Sequence, residues 1–282
     1  MNSDRFVIRA MSSKEVSLAV EWAAREGWNP GLDDAHVFYQ TDPEGFLVGT
    51  LEDRPVSVIS AVRYGEAYGF VGFYIVDPEF RGRGFGMKTW TAAMSVLGDR
   101  LLGLDGVVDQ QDNYRKSGFE LAHRNIRQEG RIAHAASAGC FVDAAQLAPE
   151  MIQAFDRQFF PAPRNRFLGS WMKLPHGSAL ARVERDRVRS LGVIRECRNG
   201  WKIGPLFADS AEEARELFGA LQLKATVGAP LYLDTPEPNG QALELARRHG
   251  MQPVFETARM YRGNQPGIDL GKVFGITTFE LG

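Results

Sequence analysis

The stretch RGRGFG (81–86) is the feature that most limits how this chain can fold. It follows the very apolar segment YGFVGFYIV (68–76), which predicts a strand, and it precedes a helix whose apolar face begins at Met87 and runs to Leu97. A glycine loop at this junction brings together the unpaired N–H groups and the positive dipole end of the helix. The stretch therefore predicts a site for an anion, such as a phosphate.

Two common phosphate-binding motifs do not fit this loop. A P-loop needs a glycine directly before Lys-Ser/Thr, but Met87 precedes Lys88 and Thr89. The dinucleotide fingerprint Gly-x-Gly-x-x-Gly needs its third glycine at 87 or 89, counted from Gly82 or Gly84, and those positions hold methionine and threonine. The glycine spacing therefore argues against both a P-loop NTPase and a Rossmann enzyme.

Composition narrows the classes of partner. A chain of 282 residues is long enough for two domains. Its net charge is −2, so there is no excess of basic residues that would favour nucleic acid as a partner. Cys140 and Cys197 form no CxxC pair or Cys/His cluster, so no metal site is expected. No apolar run approaches the roughly 20 residues of a membrane span. We expect a cytoplasmic protein without a membrane partner, and a homodimer is left open.

Further motifs follow the glycine loop in a recognisable order. Arg81, Gly84 and Gly86 fit the pattern Arg/Gln-x-x-Gly-x-Gly/Ala, and Tyr114 lies four residues before a Gly-Phe pair at 118–119. Taken together, these motifs resemble the GNAT superfamily of N-acetyltransferases. One position departs from the family pattern, because Val107 stands where many members carry an asparagine. What the segment 109–113 contributes to cofactor binding is therefore left open.

The second half of the chain echoes the first but lacks these motifs. Residues 139–160 repeat the strand-then-helix opening of residues 6–27. In the place of the glycine loop stand Asp209 and Ser210, which are good helix caps, and Ala246 occupies the position of the tyrosine. The second half therefore resembles a GNAT-like domain that has lost its cofactor site. The ending VFGITTFELG (273–282) is typical of the same tandem group.

The resemblance implies an α/β (α+β) fold with two GNAT-like domains, each a mixed, largely antiparallel sheet flanked by helices. Residues 1–133 are the predicted catalytic domain, and residues 134–282 are the predicted degenerate domain. The implied activity is the direct transfer of an acetyl group from acetyl-CoA to a primary amine of a small molecule or peptide, with no metal. A non-catalytic acyl-CoA sensor or regulatory module is the alternative, and a longer acyl group is not excluded.

The resemblance also assigns roles within the predicted catalytic domain. The loop would hold the CoA pyrophosphate, the strand end would pair with the pantetheine arm, and a backbone N–H near Tyr74 or Ile75 would polarise the thioester carbonyl. Tyr114 is the predicted general acid for the leaving thiolate. Glu66 is a candidate base, against the alternative that it sits in an exposed turn. The predicted cofactor-binding residues are Tyr74, Ile75, Val76, Arg81, Gly82, Arg83, Gly84, Phe85, Gly86 and Met87.

The segment 27–40 is expected to line the acceptor side. Trp28 and Phe38 offer aromatic faces, and Asp33 and Asp34 offer carboxylates, a combination that suits a cationic amine. The alternative is that the aromatic residues belong to the core and the aspartates cap a helix. We expect this amine pocket to lie between the domains, with segments 164–173 and 233–239 nearby.

Overall fold

The computed structural model describes residues 6–134 and 139–282, and its two halves repeat one order of elements. The first half contains β1 (Phe6–Ala10), α1 (Ser13–Arg25), α2 (Asp34–Thr41), β2 (Phe46–Leu51), β3 (Arg54–Tyr64), β4 (Tyr68–Val76), α3 (Phe85–Leu97), β5 (Leu101–Val107), α4 (Gln111–Lys116) and β6 (Glu120–Arg131). The second half contains β7 (Val142–Asp143), α5 (Pro149–Asp156), α6 (Asn165–Trp171), β8 (Gly177–Glu184), β9 (Arg187–Glu196), β10 (Trp201–Ala208), α7 (Ala211–Gln222), β11 (Pro230–Pro236), α8 (Gly240–Arg248) and β12 (Gln252–Arg262). A short strand, β13 (Val273–Gly275), follows and has no counterpart in the first half.

Local sequence patterns account for the helices that frame the first half. Ser12 begins α1 through a capping box with Glu15, and the apolar face of the helix from Val16 to Ala23 is buried. Helix α3 begins after Gly84, as the glycine loop predicts. Its apolar residues Trp90 and Leu97 are buried against the sheet core. Within the described ranges, no helix is long and apolar enough to span a membrane.

The strands form a single sheet in the order β1-β2-β3-β4-β5-β12-β6-β11-β10-β9-β8-β7. The pairs β4–β5 and β10–β11 are parallel, and the other pairs are antiparallel. The prediction of mixed, largely antiparallel sheets flanked by helices is therefore confirmed. The sheets predicted for the two halves are, however, joined into one continuous sheet.

The final strand of each half is exchanged. Strand β12 pairs with β5, from Thr257 opposite Val107 to Arg262 opposite Leu102. Strand β6 pairs in turn with β11 of the second half. Each half is thus completed by the last strand of the other, and one apolar core contains residues from both, including Phe38 and Trp171. The division at 133/134 stays a prediction for the chain, and the sheet itself is continuous across both halves.

Each half contains one place where two parallel strands diverge. Strands β4 and β5 pair only from Tyr68–Leu101 to Val71–Leu104, and their carboxyl ends then separate. Strands β10 and β11 pair over a still shorter stretch, from Trp201–Leu231 to Ile203–Leu233. There β13 continues the sheet, since it pairs with β10 and the N–H of Ile276 donates to the carbonyl of Asp234 on β11. The chain itself therefore fills the second gap.

Candidate active site

A cleft of about 460 Å³ opens where β4 and β5 diverge. Residues 71–76 of β4 and 104–107 of β5 form two walls, and residues of β12 and of segment 276–282 contribute to its lining. The volume falls in the ordinary range for a small-molecule site. Another cavity, of about 40 Å³, lies near Phe160 and Thr277 and is lined by none of the predicted site residues. The larger cleft is therefore the candidate active site.

A bulge in β4 shapes the first wall. Val58 of β3 lies opposite Ile75 and Ser60 lies opposite Gly72, so two β4 residues face one β3 residue between these pairs. Phe73, within the bulge, has a φ of 48°, which is unusual for a residue with a side chain. In the described sheet, no strand pairs with the β5-facing edge of β4 beyond Val71. The predicted residues Tyr74, Ile75 and Val76 all line this part of the cleft.

The glycine loop lies at one end of the cleft. Gly82 and Gly84 have φ values of 73° and 81°, which explains why glycine is needed there. Gly84 is also the N-cap of α3 and offers no side chain to bind the first N–H groups of the helix. Arg81 and Gly82 line the cleft. The Arg81 guanidinium lies 2.6 Å from a carboxylate oxygen of Glu26 and donates to the carbonyl of Val76.

The other predicted loop residues contribute differently. Phe85 is buried against Phe6, with ring centroids 4.8 Å apart, and the Arg83 guanidinium lies over the Phe85 ring. Met87 is 64% exposed. Gly86 packs closely against the Tyr74 hydroxyl. A Cβ atom added at Gly86 would lie 2.8 Å from that hydroxyl oxygen. Residues 83–87 therefore lie outside the cleft lining, which the loop reaches through Arg81 and Gly82.

Tyr114 lies in the cleft wall on α4. Its ring packs on Trp90, with centroids 5.6 Å apart, and fits over Gly106, where a Cβ atom would lie 2.2 Å from the ring. Burial raises the pKa of Tyr114 well above its usual value of 10, and the nearby Tyr74 adds to this effect. The hydroxyl therefore stays protonated near neutral pH and can act as a proton donor.

Glu66 is not at this site. It lies in the turn between β3 and β4, where its side chain is 99% exposed and pairs with Arg100 at 3.2 Å. The cleft begins only at Val71, and Phe73 lies seven residues further along an extended strand, roughly 20 Å away. The exposed-turn alternative is therefore the one observed, because Glu66 precedes the end of β4 that lies away from the cleft.

Of the four predicted acceptor residues, only Trp28 lines the cleft. Asp34 is buried, accepts from the Gly31 N–H and pairs with Arg195 at 3.1 Å. Asp33 binds His176, and Phe38 stacks on Trp171 in the core. The alternative is therefore observed for Phe38, which belongs to the core, but the Asp33 side chain makes no capping hydrogen bond to α2.

The segments expected near the acceptor do not line the cleft. Arg164, in segment 164–173, donates to the carbonyl of Gly282. Asp234, in segment 233–239, pairs with Arg127, which also donates to the carbonyl of Trp28. Both segments thus hold cleft-forming parts of the chain in place.

Sequence reasoning missed four residues that line the cleft from the second half: Phe255 and Thr257 on β12, and Phe279 and Glu280 in segment 276–282. The rings of Phe255 and Phe279 lie 6.1 Å apart. The only signal for segment 276–282 was the family-like ending of the chain, and no local pattern pointed to β12. The exchange of final strands is what brings these residues to the first-half cleft.

The corresponding region of the second half is closed to phosphate. Ser210 caps α7 by accepting from the Glu213 N–H, and Asp209 pairs with Arg189 and Lys272. Carboxylates therefore stand where the first half presents open glycines, as the degenerate motif predicts. Within residues 6–134 and 139–282, no group of three or more His, Cys, Asp or Glu could hold a metal ion.

Comparisons with known proteins agree with this architecture. An acetyltransferase (GNAT) family model matches residues 15–119, and an acetyltransferase (GNAT) domain model matches residues 152–275. A holothin acyltransferase from Pseudoalteromonas sp. (strain SANK 73390) is 31% identical over 273 residues, which cover 96% of this chain and 92% of that protein. The chain belongs to the GNAT superfamily. The predicted tandem of GNAT domains is confirmed, and the chain is an acyltransferase.

Solved structures share the fold of this GNAT acyltransferase. A putative acetyltransferase from Pyrococcus horikoshii superimposes with a TM-score of 0.84 at 21% identity and covers 100% of this chain and 98% of its own. A tandem GNAT protein from the clavulanic acid biosynthesis pathway has a TM-score of 0.63 at 13% identity, with coverage of 93% and 100%. The two-half architecture is therefore found in other GNAT proteins.

Proposed function

We propose that this GNAT acyltransferase moves an acyl group from acyl-CoA, with acetyl-CoA as the expected donor, to a primary amine. The observation that carries the proposal is the cleft between β4 and β5, which has an open glycine turn at one end and Tyr114 in its wall. The printed name of the holothin acyltransferase relative also favours acyl transfer. The buried Tyr114 hydroxyl favours a catalytic role over binding alone.

The residues of the cleft fit a CoA thioester. Gly82, Gly84 and the N-terminus of α3 would hold the pyrophosphate, because their N–H groups are not covered by a capping side chain. Arg81 would exchange its contact with Glu26 for a phosphate oxygen. The unpaired edge of β4 beyond Val71 would accept the amides of the pantetheine arm as an added strand.

Bound acyl-CoA supplies a thioester, whose carbonyl carbon is the electrophile. In this proposal the backbone N–H groups near the Phe73 bulge polarise the carbonyl oxygen, since the strained β4 backbone faces the cleft there. Tyr114 gives its proton to the departing sulfur. The raised pKa means that the hydroxyl carries this proton at neutral pH.

The proposal is tested by two measurements on the unmodified protein. Calorimetry with CoA measures binding, and release of free CoA thiol from acetyl-CoA measures turnover across a panel of primary amines. We expect one or more amines to give turnover. CoA binding without turnover of acetyl-CoA or longer acyl-CoA thioesters would favour a sensor, and a lack of CoA binding would refute the site.

A further inference from the structure

We propose that Glu280, supplied by the second half, accepts the proton of the attacking nitrogen, and that the acceptor is a monoamine with an apolar, ring-sized body. This inference rests on the proposed function and names the base and acceptor class of the same site. Glu280 lines the cleft in segment 276–282, and its side chain is buried, with the residue only 3% exposed.

The backbone around Glu280 is firmly held. The Tyr64 hydroxyl donates to the carbonyl of Leu281, and Arg164 donates to the carbonyl of Gly282, each at 2.9 Å. On β4, Gly72 lies directly against the carbonyl of Glu280, because a Cβ atom there would approach that oxygen to 2.2 Å. Segment 276–282 is therefore anchored to β4 in the part of the cleft where the thioester would lie.

Two side-chain oxygens of residues that line the cleft are buried and lack hydrogen-bond partners among the described residues. They are Oε1 of Glu280 and Oγ1 of Thr257. Buried polar atoms are normally hydrogen-bonded, so an unpartnered carboxylate oxygen on a residue that lines a cleft indicates a missing donor. An amine nitrogen supplies N–H donors of the required kind. A carboxylate is also the group best able to take a proton from that nitrogen.

Burial and the neighbouring charges both act on the pKa of Glu280, which matters for a group that accepts a proton. Burial raises its pKa above the usual value of 4.5, and the buried carboxyl of Asp34 acts in the same direction. Lys202, Arg127 and Arg195 oppose this shift, since their positive charges favour the carboxylate. A carboxylate with a raised pKa is a stronger base than an exposed glutamate. Because the ionised form is the base, activity should fall as the pH drops through this raised pKa.

The aromatic side chains of the cleft indicate what kind of group the acceptor carries beside its amine. Trp28, Phe73, Phe255 and Phe279 all line the cleft, and the Arg127 guanidinium lies 4.7 Å from the Phe279 ring centroid. Such walls favour a flat or apolar group by area burial and ring contact.

The remaining carboxylates of the cleft are already paired. Asp105 binds Arg259 at 2.6 Å, and Glu26 binds Arg81. Of the carboxylates that line the cleft in the described chain, Glu280 is left with an unpartnered oxygen. One available carboxylate among aromatic walls matches a single amino group, whereas a polyamine would bring further charges that find no free partner.

In the proposed step the nitrogen forms a bond to the carbonyl carbon as the carbon–sulfur bond breaks. The electron pair of that bond leaves on the sulfur, which takes a proton from Tyr114. Glu280 takes a proton from the nitrogen as the amide forms. An acceptor that enters as an ammonium ion releases one further proton to solvent before it attacks.

The test compares Glu280→Gln with Glu256→Gln, a matched change on β12 at a carboxylate that pairs with Arg124 on the surface. CoA thiol release is measured with 2-phenylethylamine and with spermidine across the pH range. We expect Glu280→Gln to lower kcat/KM for 2-phenylethylamine by about 10²–10⁴ and to abolish the acidic limb of the pH profile. CoA affinity should stay unchanged, and Glu256→Gln should behave like the unmodified protein.

The outcomes separate the two levels of the proposal. An absence of turnover by the unmodified protein with any amine overturns the proposed function and this inference together. Turnover with an unaltered pH profile in Glu280→Gln overturns only the role of Glu280, and a preference for spermidine overturns the acceptor class. If Glu280→Gln lowers Tm, Glu280→Asp decides. That variant should keep the acidic limb with reduced kcat, and an unchanged kcat would overturn the role.

Discussion

Gly72 shows at the scale of one residue why the second half matters to the first. Its missing side chain makes room for the carbonyl of Glu280, a backbone atom that cannot rotate away. We expect Gly72→Ala to displace segment 276–282, to lower the free energy of unfolding by about 1–3 kcal/mol through overpacking, and to reduce turnover. Denaturant unfolding and CoA thiol release measure both effects.

Gly219→Ala is the matched control for this prediction. Gly219 lies in α7, where an added Cβ atom meets nothing within 4 Å. Alanine should therefore leave activity unchanged and stabilise the helix by up to about 1 kcal/mol. Equal stability changes in the two variants would contradict the close approach at Gly72.

Tyr114 permits a second test at this scale. Tyr114→Phe keeps the ring that packs on Trp90 and over Gly106 and removes only the hydroxyl. If that hydroxyl protonates the leaving thiolate, kcat should fall by roughly 10²–10⁴ with little change in KM. Tyr232→Phe, which removes a hydroxyl bonded to Asn199 in the second half, should retain kcat. A fully active Tyr114→Phe enzyme would refute the assignment.

At the scale of elements, substitution in the glycine turn before α3 tests whether this turn binds the CoA pyrophosphate. Gly84→Asp adds a carboxylate at the open N-terminus of the helix, so it should weaken CoA binding by charge and by an unfavourable φ. Gly228→Asp is the control, because Gly228 has a φ of 77° and an equally open surrounding. Calorimetry should show weaker CoA binding only for Gly84→Asp. Equal affinities in both variants would exclude the loop as the pyrophosphate site.

The elements were predictable where their signals are local. The capping residue of α1, the apolar run of β4 and the glycine turn before α3 each lie within a short window of sequence. The same holds for Tyr114, whose position is set by the short distance to a Gly-Phe pair. The predicted base at Glu66 failed because sequence proximity to β4 does not say which end of the strand forms the cleft.

Pairing between distant strands left no comparable signal. Nothing within β12 specifies that it lies between β5 and β6, since register and partner are decided by the packed sheet as a whole. For that reason Thr257 and Glu280 were not predicted, and Asp34, which carries the expected charge, proved to be held in the interior by Arg195. The residues that were not predicted are those that reach the cleft through pairing between strands far apart in the sequence.

At the scale of the whole molecule, the exchanged strands predict that the halves depend on each other. Residues 1–133 alone would leave β5 without its partner β12 and β6 without β11, and both edges would be open to aggregation. We expect residues 1–133 and 134–282, expressed separately, to be unfolded or associated, and to regain turnover when coexpressed. Circular dichroism, size-exclusion chromatography and CoA thiol release test this. A monomeric, active fragment of residues 1–133 would contradict it.

Strand β13 bears on how this protein can evolve. In the second half the chain occupies the space between the diverging strands, with Leu206 paired to Gly275 and Phe207 paired to Val273. Replacement of Asp209, Ser210 and Ala246 by the residue types of the first-half motif would leave that space filled by the segment that continues to Glu280. Removing this segment from the second half would also remove Glu280 from the cleft of the first half. Substitutions in the second half alone would therefore not create a second open cleft without moving the segment that carries Glu280.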